Sequence, residues 1–279
     1  MFREARSTEI LFLVLNTSSV TLFPITIIMY RLQQGAMTPG EVFLPILLAT
    51  LTSTLAGLLI VALVQKLKLF DRVIGAYFLA LLALVGGLFY WLSILPADEM
   101  AVASATFGNC LLFSAIVLVI SVAHLKKVAV YEGFVEGAKE GFDVAVKIIP
   151  YLVAMLVAIG VLRASGLLDK LVAVIGWCVS QLGLDTSFVY ALPTALMKPF
   201  SGSGARALML ETMNTHGVDS FAAKLASVMQ GSTETTFYVL TVYFGAVGIK
   251  RVRHAIACGL FADLAGIIAA IALSYWFFT

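Results

Sequence analysis

The sequence predicts an all-α protein that crosses a membrane several times. Of its 279 residues, 61% are hydrophobic and only 12% are charged, whereas soluble domains are nearer half apolar and a quarter charged. Long apolar runs without a period of two favour helices over a β-barrel. At about 20 residues per crossing, the chain has room for roughly eight to ten membrane segments.

Five apolar segments are each long enough to cross by themselves. They are Ile10–Tyr30, Val42–Val64, Val73–Leu95, Ala101–Ala123 and Ala255–Phe278. Residues 65–72 and 249–254 carry clusters of Lys and Arg, whereas the charges of residues 96–100 are all acidic. Because cytoplasmic loops carry the excess of basic residues, we expect a cytoplasmic N-terminus and a C-terminus outside the membrane.

Residues 131–147 differ from the spans in having many charged side chains and a glycine at every fourth position, Gly133, Gly137 and Gly141. This pattern predicts a cytoplasmic amphipathic helix that lies on the membrane and packs its small residues against another helix. An ordinary solvated linker helix is the alternative.

The segment after this helix consists of pieces too short to cross alone. Two apolar stretches, 148–162 and 167–182, separate at residues 163–166, and Ser187–Met197 follows them. At 1.5 Å per residue, Ser187–Met197 spans about 16 Å, which is half of a hydrocarbon core. Together with the Pro/Gly/Ser-rich turn 198–204 and a second short helix over 205–215, it predicts a re-entrant hairpin. Such backbone is tolerated at membrane depth only where it is buried in protein or lines a cavity.

Two polar breaks, Asn16–Ser19 and Gly231–Thr236, interrupt apolar runs in the same way. An offset of 215 residues aligns the first break with the second, and an offset of 209 aligns Leu-Ala-Gly at 55–57 with Leu-Ala-Gly at 264–266. The loop charges predict that the aligned segments cross the membrane in opposite directions. Inverted-topology repeats with broken helices are typical of secondary transporters, which bind substrate near the membrane midplane.

The repeats divide the chain into three parts. Residues 1–64 form an incomplete first repeat, 65–130 two connecting transmembrane helices, and 131–279 a complete second repeat. The second repeat has an upstream arm that the first lacks. We therefore expect that the missing arm comes from another subunit, in a homo-oligomer or from a companion chain, or that the chain is a fragment.

Three motifs resemble the spore maturation protein B family: Lys198–Arg206 (KPFSGSGAR), Ala226–Tyr238 (ASVMQGSTETTFY) and Thr241–Lys250 (TVYFGAVGIK). Leu11–Pro24 resembles the C-terminal part of spore maturation protein A, so the chain is similar to an A–B fusion without most of the A-type N-terminal half. Both families belong to the nucleoside-recognition or gate group, which includes concentrative nucleoside transporters. The resemblance implies a related fold, a place in the cytoplasmic (inner) membrane and movement of a small solute, nucleoside-like or a carboxylate. It does not identify the substrate.

The two polar breaks and the segment Lys198–Arg206 are together called the three breaks. Their polar groups are candidate substrate ligands, because hydroxyls and free amides can replace the hydration shell of a solute. Some of them instead satisfy unwound backbone. The uncharged candidates are Asn16, Thr17, Ser18, Ser19, Ser201, Gly202, Ser203, Gly204, Gly231, Ser232, Thr233, Thr235 and Thr236.

Four charged residues at membrane depth are further candidates, because a charge there is costly and is retained mainly for function. Glu234 and Asp263 are candidates for coupling to Na⁺ or H⁺; the alternatives are a structural carboxylate that caps amides and a position near the surface. Lys198 and Arg206 flank a helix start that favours anions. Alternatively, Lys198 snorkels and Arg206 pairs with Glu234 or Asp263.

Enzyme signals are weak, so we expect no catalytic residues, no metal ligands and no cofactor. The histidines have no HExxH spacing, no phosphate-binding loop is present, and the cysteines have no paired spacing. The basic residues sit beside spans, which argues against nucleic acid. The expected partners are the bilayer and a small solute. The first hypothesis is a secondary transporter, and the alternative is a non-transporting assembly or receptor subunit that keeps the fold.

Overall fold

The computed structural model describes residues 3–66, 95–181, 183, 185–246 and 248–279, with isolated positions between 75 and 94. The predicted span Val73–Leu95 therefore lies largely outside the described residues. The N-terminal part contains β1 (Arg3–Glu4), α1 (Ser7–Thr17), α2 (Ile25–Gln33), a 3₁₀ turn (Pro39–Val42), α3 (Phe43–Gln65) and α4 (Ala97–Leu125). The C-terminal part contains α5 (Val130–Ala164), α6 (Leu167–Gln181), a 3₁₀ turn (Ser187–Ala191), α7 (Leu192–Met197), α8 (Gly202–His216), α9 (Phe221–Ser232), α10 (Thr236–Ala246), β2 (Ile249–Arg251) and α11 (Ala255–Phe278).

Among the described residues, three helices are long and apolar enough to cross a membrane: residues 39–65, 99–125 and 255–278. They confirm the predicted helices Val42–Val64, Ala101–Ala123 and Ala255–Phe278. The predicted span Ile10–Tyr30 is instead two short helices, because α1 ends at the polar break and α2 begins only at Ile25. The long apolar helices make this a membrane protein.

The helix over the charged segment is longer than the sequence indicates. The amphipathic stretch 131–147 and the apolar stretch 148–162 were expected as separate elements, and α5 joins them into one helix of 35 residues. Residues 142–149 contain no glycine and no capping signal that would end it. The predicted break at 163–166 is confirmed, since α5 ends at Ala164 and Gly166 adopts a φ of +69°.

Two long apolar helices, α3 and α11, cross at small residues and form the centre of the packing. The hydroxyl of Ser53 donates to the carbonyl of Ala262 at 2.8 Å. A Cβ added to Gly57 would lie 3.3 Å from Ala262 Cβ, and one added to Gly266 would lie 3.1 Å from Ser53 Cβ. Later residues of each helix thus meet earlier residues of the other, so the two helices run antiparallel.

A buried ionic network, here called the Arg31 cluster, ties α2 to the start of α9. The side chain of Arg31 is fully buried and lies 2.6 Å from Glu41 and 3.4 Å from Asp219. Lys224 lies 3.0 Å from the other oxygen of Glu41. The guanidinium also donates to the Val218 carbonyl at 3.1 Å. The sequence analysis missed this cluster.

A short parallel strand pair lies outside the predicted all-α architecture. Strand β1 pairs with β2, and the amide of Ala5 donates to the Arg251 carbonyl at 2.9 Å. Arg253 also donates to the carbonyl of Ala5 at 3.2 Å. The N-terminal segment is thereby attached to the loop that precedes α11.

Candidate functional site

The three polar breaks lie against one another. The amide of Glu234, in the second break, donates to the carbonyl of Thr17 in the first at 2.8 Å. The hydroxyl of Thr21 donates to the Gly231 carbonyl at 3.2 Å. The Pro/Gly/Ser-rich turn 198–204 contacts the start of α10, because the Phe237 amide donates to the carbonyl of Pro199 at 3.0 Å.

Local sequence explains how the turn 198–204 comes so close to the second break. The hydroxyl of Ser201 accepts from the amide of Gly204 at 3.0 Å and so caps the start of α8. A Cβ added to Gly202 would lie 2.9 Å from the hydroxyl of Thr235, so a larger residue here would require the Thr235 side chain or the turn to shift. The Phe200 and Phe237 rings stack at 5.1 Å on the same contact.

A cavity of about 250 Å³, here called the central cavity, opens between the turn 198–204 and the second break, beside the segment that follows the first break. Seven predicted site residues line it: Lys198, Gly202, Arg206, Gly231, Thr233, Glu234 and Thr235. The rest of the lining comes from Thr21, Phe23, Pro24, Thr26, Ile27, Tyr30, Met209 and Gln230. The volume is slightly below the usual range for drug-sized ligands, so it suits a small solute.

The charges that line the cavity are not paired with one another. The side chain of Lys198 is buried, and Glu234 is exposed. Arg206 lies over the ring of Tyr30, 5.6 Å from its centroid, which orients the guanidinium by a cation–π contact. Among the described residues, no ion pair is formed by Lys198, Arg206 or Glu234. The cavity therefore offers two cationic groups and one carboxylate to a ligand.

Asp263 lies behind the cavity wall rather than in it. It is buried in α11, and one carboxylate oxygen accepts from the hydroxyl of Thr236 at 2.6 Å. The other oxygen has no hydrogen-bond partner among the described residues. Lys198 and Asp263 interact electrostatically without an ion pair. The carboxylate thus lies outside the cavity lining, although it interacts with Lys198.

Comparison with known proteins assigns the family. The family model described as "Gate: Nucleoside recognition" matches residues 145–250. Spore maturation protein B of Bacillus subtilis (strain 168) is 52% identical over 147 residues, which cover 53% of this chain and 81% of that protein. This chain belongs to the spore maturation protein B family. No solved structure matches. The charged lining residues Lys198, Arg206 and Glu234 all lie inside the family match, whereas the first break lies outside it.

The other predicted site residues bind backbone or lie beside the cavity. Asn16 donates to the Phe12 carbonyl at 2.7 Å, Ser18 to the Val14 carbonyl at 2.8 Å and Ser232 to the Met229 carbonyl at 3.0 Å. These side chains donate to backbone carbonyls in the last turns of their own helices. The predicted residues that do not line the cavity are Asn16, Thr17, Ser18, Ser19, Ser201, Ser203, Gly204, Ser232, Thr236 and Asp263.

The clearest residue that the sequence analysis missed is Gln230. Its side chain is 6% exposed, and its amide nitrogen donates to the Gly202 carbonyl at 3.3 Å. Its carbonyl oxygen has no partner among the described residues. The sequence contained an indication of this residue, because a glutamine inside an apolar membrane segment costs free energy and is therefore a candidate for a functional role. Tyr30 had no such signal, since an aromatic ring near the end of an apolar run is ordinary.

Proposed function

We propose that this protein is a secondary transporter or permease for a small polar solute, nucleoside-like or an anionic carboxylate, in the cytoplasmic membrane. The observation that carries the proposal is the polar central cavity between the turn 198–204 and the second break, beside the segment that follows the first break. Its lysine and arginine have no ion-pair partner among the described residues, so an anionic group on the solute can fill that role. The orphaned oxygen of Gln230 additionally suits a hydrogen-bond donor on the solute.

Equivalent contacts support an inverted repeat as the basis for alternating access. A Cβ on Gly57 would lie 3.1 Å from the hydroxyl of Ser18, and one on Gly266 would lie 2.7 Å from Cγ2 of Thr233. The same offsets, 209 and 215 residues, relate the two contacts. With α3 and α11 antiparallel, these paired contacts are what two inverted copies would make. Ser187–Met197 and α8 then act as the re-entrant hairpin of the second copy.

Exposed surface on α5 supports the alternative of an assembly or receptor subunit. A Cβ placed on Gly133, Gly137 or Gly141 would have no atom within 4 Å. The rings of Phe134 and Phe142 on the same helix are 72% and 69% exposed. This surface suits a companion chain or a second copy of this chain. The alternative of an assembly subunit does not explain the polar cavity, so transport is our first proposal.

Flux into proteoliposomes tests transport directly. The panel contains nucleosides, nucleobases, pyridine dicarboxylate and simple dicarboxylates, each with and without Na⁺ and H⁺ gradients. We expect saturable uptake of one class by the wild-type protein, and loss of its ion dependence in Glu234→Gln. Glu140→Gln makes the same change on the exposed surface of α5 and should transport normally.

Two results would contradict the transport proposal or part of it. If Glu234→Gln keeps the ion dependence of the wild type, Glu234 has no role in coupling. If neither the wild-type chain nor the chain with an A-type N-terminal arm moves any solute of the panel, the assembly subunit is the better interpretation.

A further inference from the structure

The carboxylate of Asp263 is buried in α11 without a paired counter-ion. The residue is 2% exposed, and among the described residues it forms no ion pair. Its Oδ2 accepts from the hydroxyl of Thr236, whereas Oδ1 has no hydrogen-bond partner in the part of the chain that the structure describes. An ionised carboxylate at membrane depth needs a compensating positive charge. Oδ1 is the atom at which that charge is missing.

A second buried oxygen near Asp263 also lacks a partner. Thr233, in the second break, is buried, and its Oγ1 has no hydrogen-bond partner among the described residues. The side chain of Thr233 interacts with the carboxylate of Asp263, but the contact falls short of a hydrogen bond. A hydroxyl oxygen has two lone pairs, so it can bind a cation. Where two such oxygens lie together without a hydrogen bond between them, a cation can bridge both.

The end of α9 adds a backbone oxygen to this face of α11. Gly266 lies three residues after Asp263 and therefore on the same face of the helix. A Cβ added to Gly266 would lie 2.7 Å from Cγ2 of Thr233 and 3.3 Å from the carbonyl oxygen of Ser232. Ser232 is the last residue of α9, and the carbonyls at the end of a helix have no partner within it. The carbonyl end of a half-length helix thus points to the region of Asp263.

The charges around Asp263 favour a monovalent ion. One carboxylate balances one positive charge, so a divalent ion would leave a net charge inside the membrane. Lys198 interacts electrostatically with Asp263 and forms no ion pair with it. Its positive charge opposes a bound cation, and it opposes a divalent one most strongly. Na⁺ and K⁺ accept carbonyl, hydroxyl and carboxylate oxygens as ligands.

We propose that Asp263 and Thr233 bind a dehydrated alkali-metal cation, Na⁺ or K⁺, beside the carbonyl end of α9. Thr233 also lines the central cavity, so the ion reaches the site from there. As a coupling site it rests on the proposed transport function, but binding of the ion does not. An anion held by Lys198 and Arg206 would weaken the repulsion between Lys198 and the ion, so the solute and the cation would favour each other's binding.

Thermal unfolding in detergent, measured without any solute, tests the cation site. NaCl or KCl replaces choline chloride at constant ionic strength. We expect one of the two salts to raise the unfolding midpoint of the wild type by a few degrees, because an ion that binds the folded protein stabilises it. Asp263→Asn should remove this effect. Glu140→Gln makes the same change at an exposed position of α5 and should keep it.

Two further positions locate the ion. Thr233→Val removes the hydroxyl and keeps the shape of the side chain, so it should raise the ion concentration that gives half-maximal stabilisation several-fold. Thr233→Ser retains the hydroxyl and should stay near the wild type. Lys198→Met should lower that concentration about tenfold, because a nearby like charge is removed. Misfolding would not increase the affinity for an ion, so this variant separates binding from structural damage.

The outcomes identify the ion or overturn the proposal. The more effective salt shows whether the site takes Na⁺ or K⁺. Equal midpoints in NaCl, KCl and choline chloride, or the same ion effect in wild type and Asp263→Asn, would overturn it. So would stabilisation by acid alone that Asp263→Asn abolishes, because the carboxylate would then hold a proton. An ion effect that requires Asp263, in a protein that moves no solute, would contradict transport and leave the cation site standing.

Discussion

Two groups of charged residues lie inside this protein, and they differ in whether their charges are paired. In the Arg31 cluster, one guanidinium and one ammonium meet two carboxylates, and the side chain of Arg31 is completely buried. In the central cavity, Lys198 is also buried, but among the described residues it forms no ion pair. The first group connects α2 to α9, whereas the charged side chains of the second group line a cavity that a ligand can occupy.

This contrast separates a structural role from a ligand-binding role. The attraction between buried partners offsets part or all of their desolvation cost, but removing one partner leaves the other charge buried without compensation. A buried charge without a partner is costly from the start, and it is worth keeping when a ligand supplies the partner. Loss of Arg31 should therefore damage folding, and loss of Lys198 should damage binding.

The largest effect is expected for Arg31→Met. The substitution leaves Glu41 with Lys224 alone and leaves Asp219 without its buried counter-ion. Breaking a buried pair in this way costs about 3–5 kcal/mol of unfolding free energy. Chemical or thermal unfolding in detergent measures it, with Arg206→Met as the matched removal of a guanidinium from the cavity. Equal destabilisation by both substitutions would contradict a structural role for Arg31 that Arg206 does not share.

Lys198→Met should have a smaller effect, and it should impair binding rather than stability. Because this variant removes a buried ammonium that has no ion-pair partner, the stability of the protein should stay the same or rise. Uptake of the solute should fall at least tenfold, which corresponds to about 1.4 kcal/mol of lost binding. Lys170→Met, at an exposed position of α6, is the control. Unfolding and flux are measured on the same preparations, and a large loss of stability with normal flux would contradict the binding role.

The sequence predicted the elements of this site better than their contacts. Apolar length identified α3, α4 and α11, and the Pro/Gly/Ser content identified the breaks, because both signals are local. The meeting of Thr17 with Glu234 was expected only through the repeat and the transporter analogy. No local pattern could show which hydroxyls line the cavity. Asn16 and Glu234 both lie in polar breaks, yet only Glu234 lines the cavity.

The Arg31 cluster shows what a single sequence hides. Arg31 follows an apolar run and resembles an ordinary basic residue at the end of a membrane helix. Its partner Asp219 is 188 residues away along the chain, and pairing at that separation depends on how the helices pack. Charge counting in loops thus gave a direction for each helix, but it gave no information about which loop charges become buried.

The smallest effect on stability is expected for Asp185, an exposed carboxylate that has hydrogen-bond donors around it. Asp185 precedes the turn Ser187–Ala191, and its carboxylate accepts from the hydroxyl of Tyr275 at 2.5 Å. The hydroxyl and amide of Ser187 also donate to it, at 2.9 and 3.2 Å. These donors, the tyrosine first, hold the pKa of Asp185 below its ordinary value of 3.8.

The resulting stabilisation depends on pH in a known direction. Because the folded protein favours the ionised carboxylate, the stabilisation is complete above the ordinary pKa of 3.8 and disappears as the pH falls through the lower pKa of the folded state. The unfolding midpoints of wild type and Asp185→Asn, compared from pH 7 to pH 2, isolate this carboxylate from the others. We expect the wild type to be slightly more stable at pH 7 and the difference to vanish at the acid end. The difference should be small because water competes for an exposed carboxylate, in contrast to Arg31. A difference that grows on acidification would show that the contact with Tyr275 favours the protonated form instead.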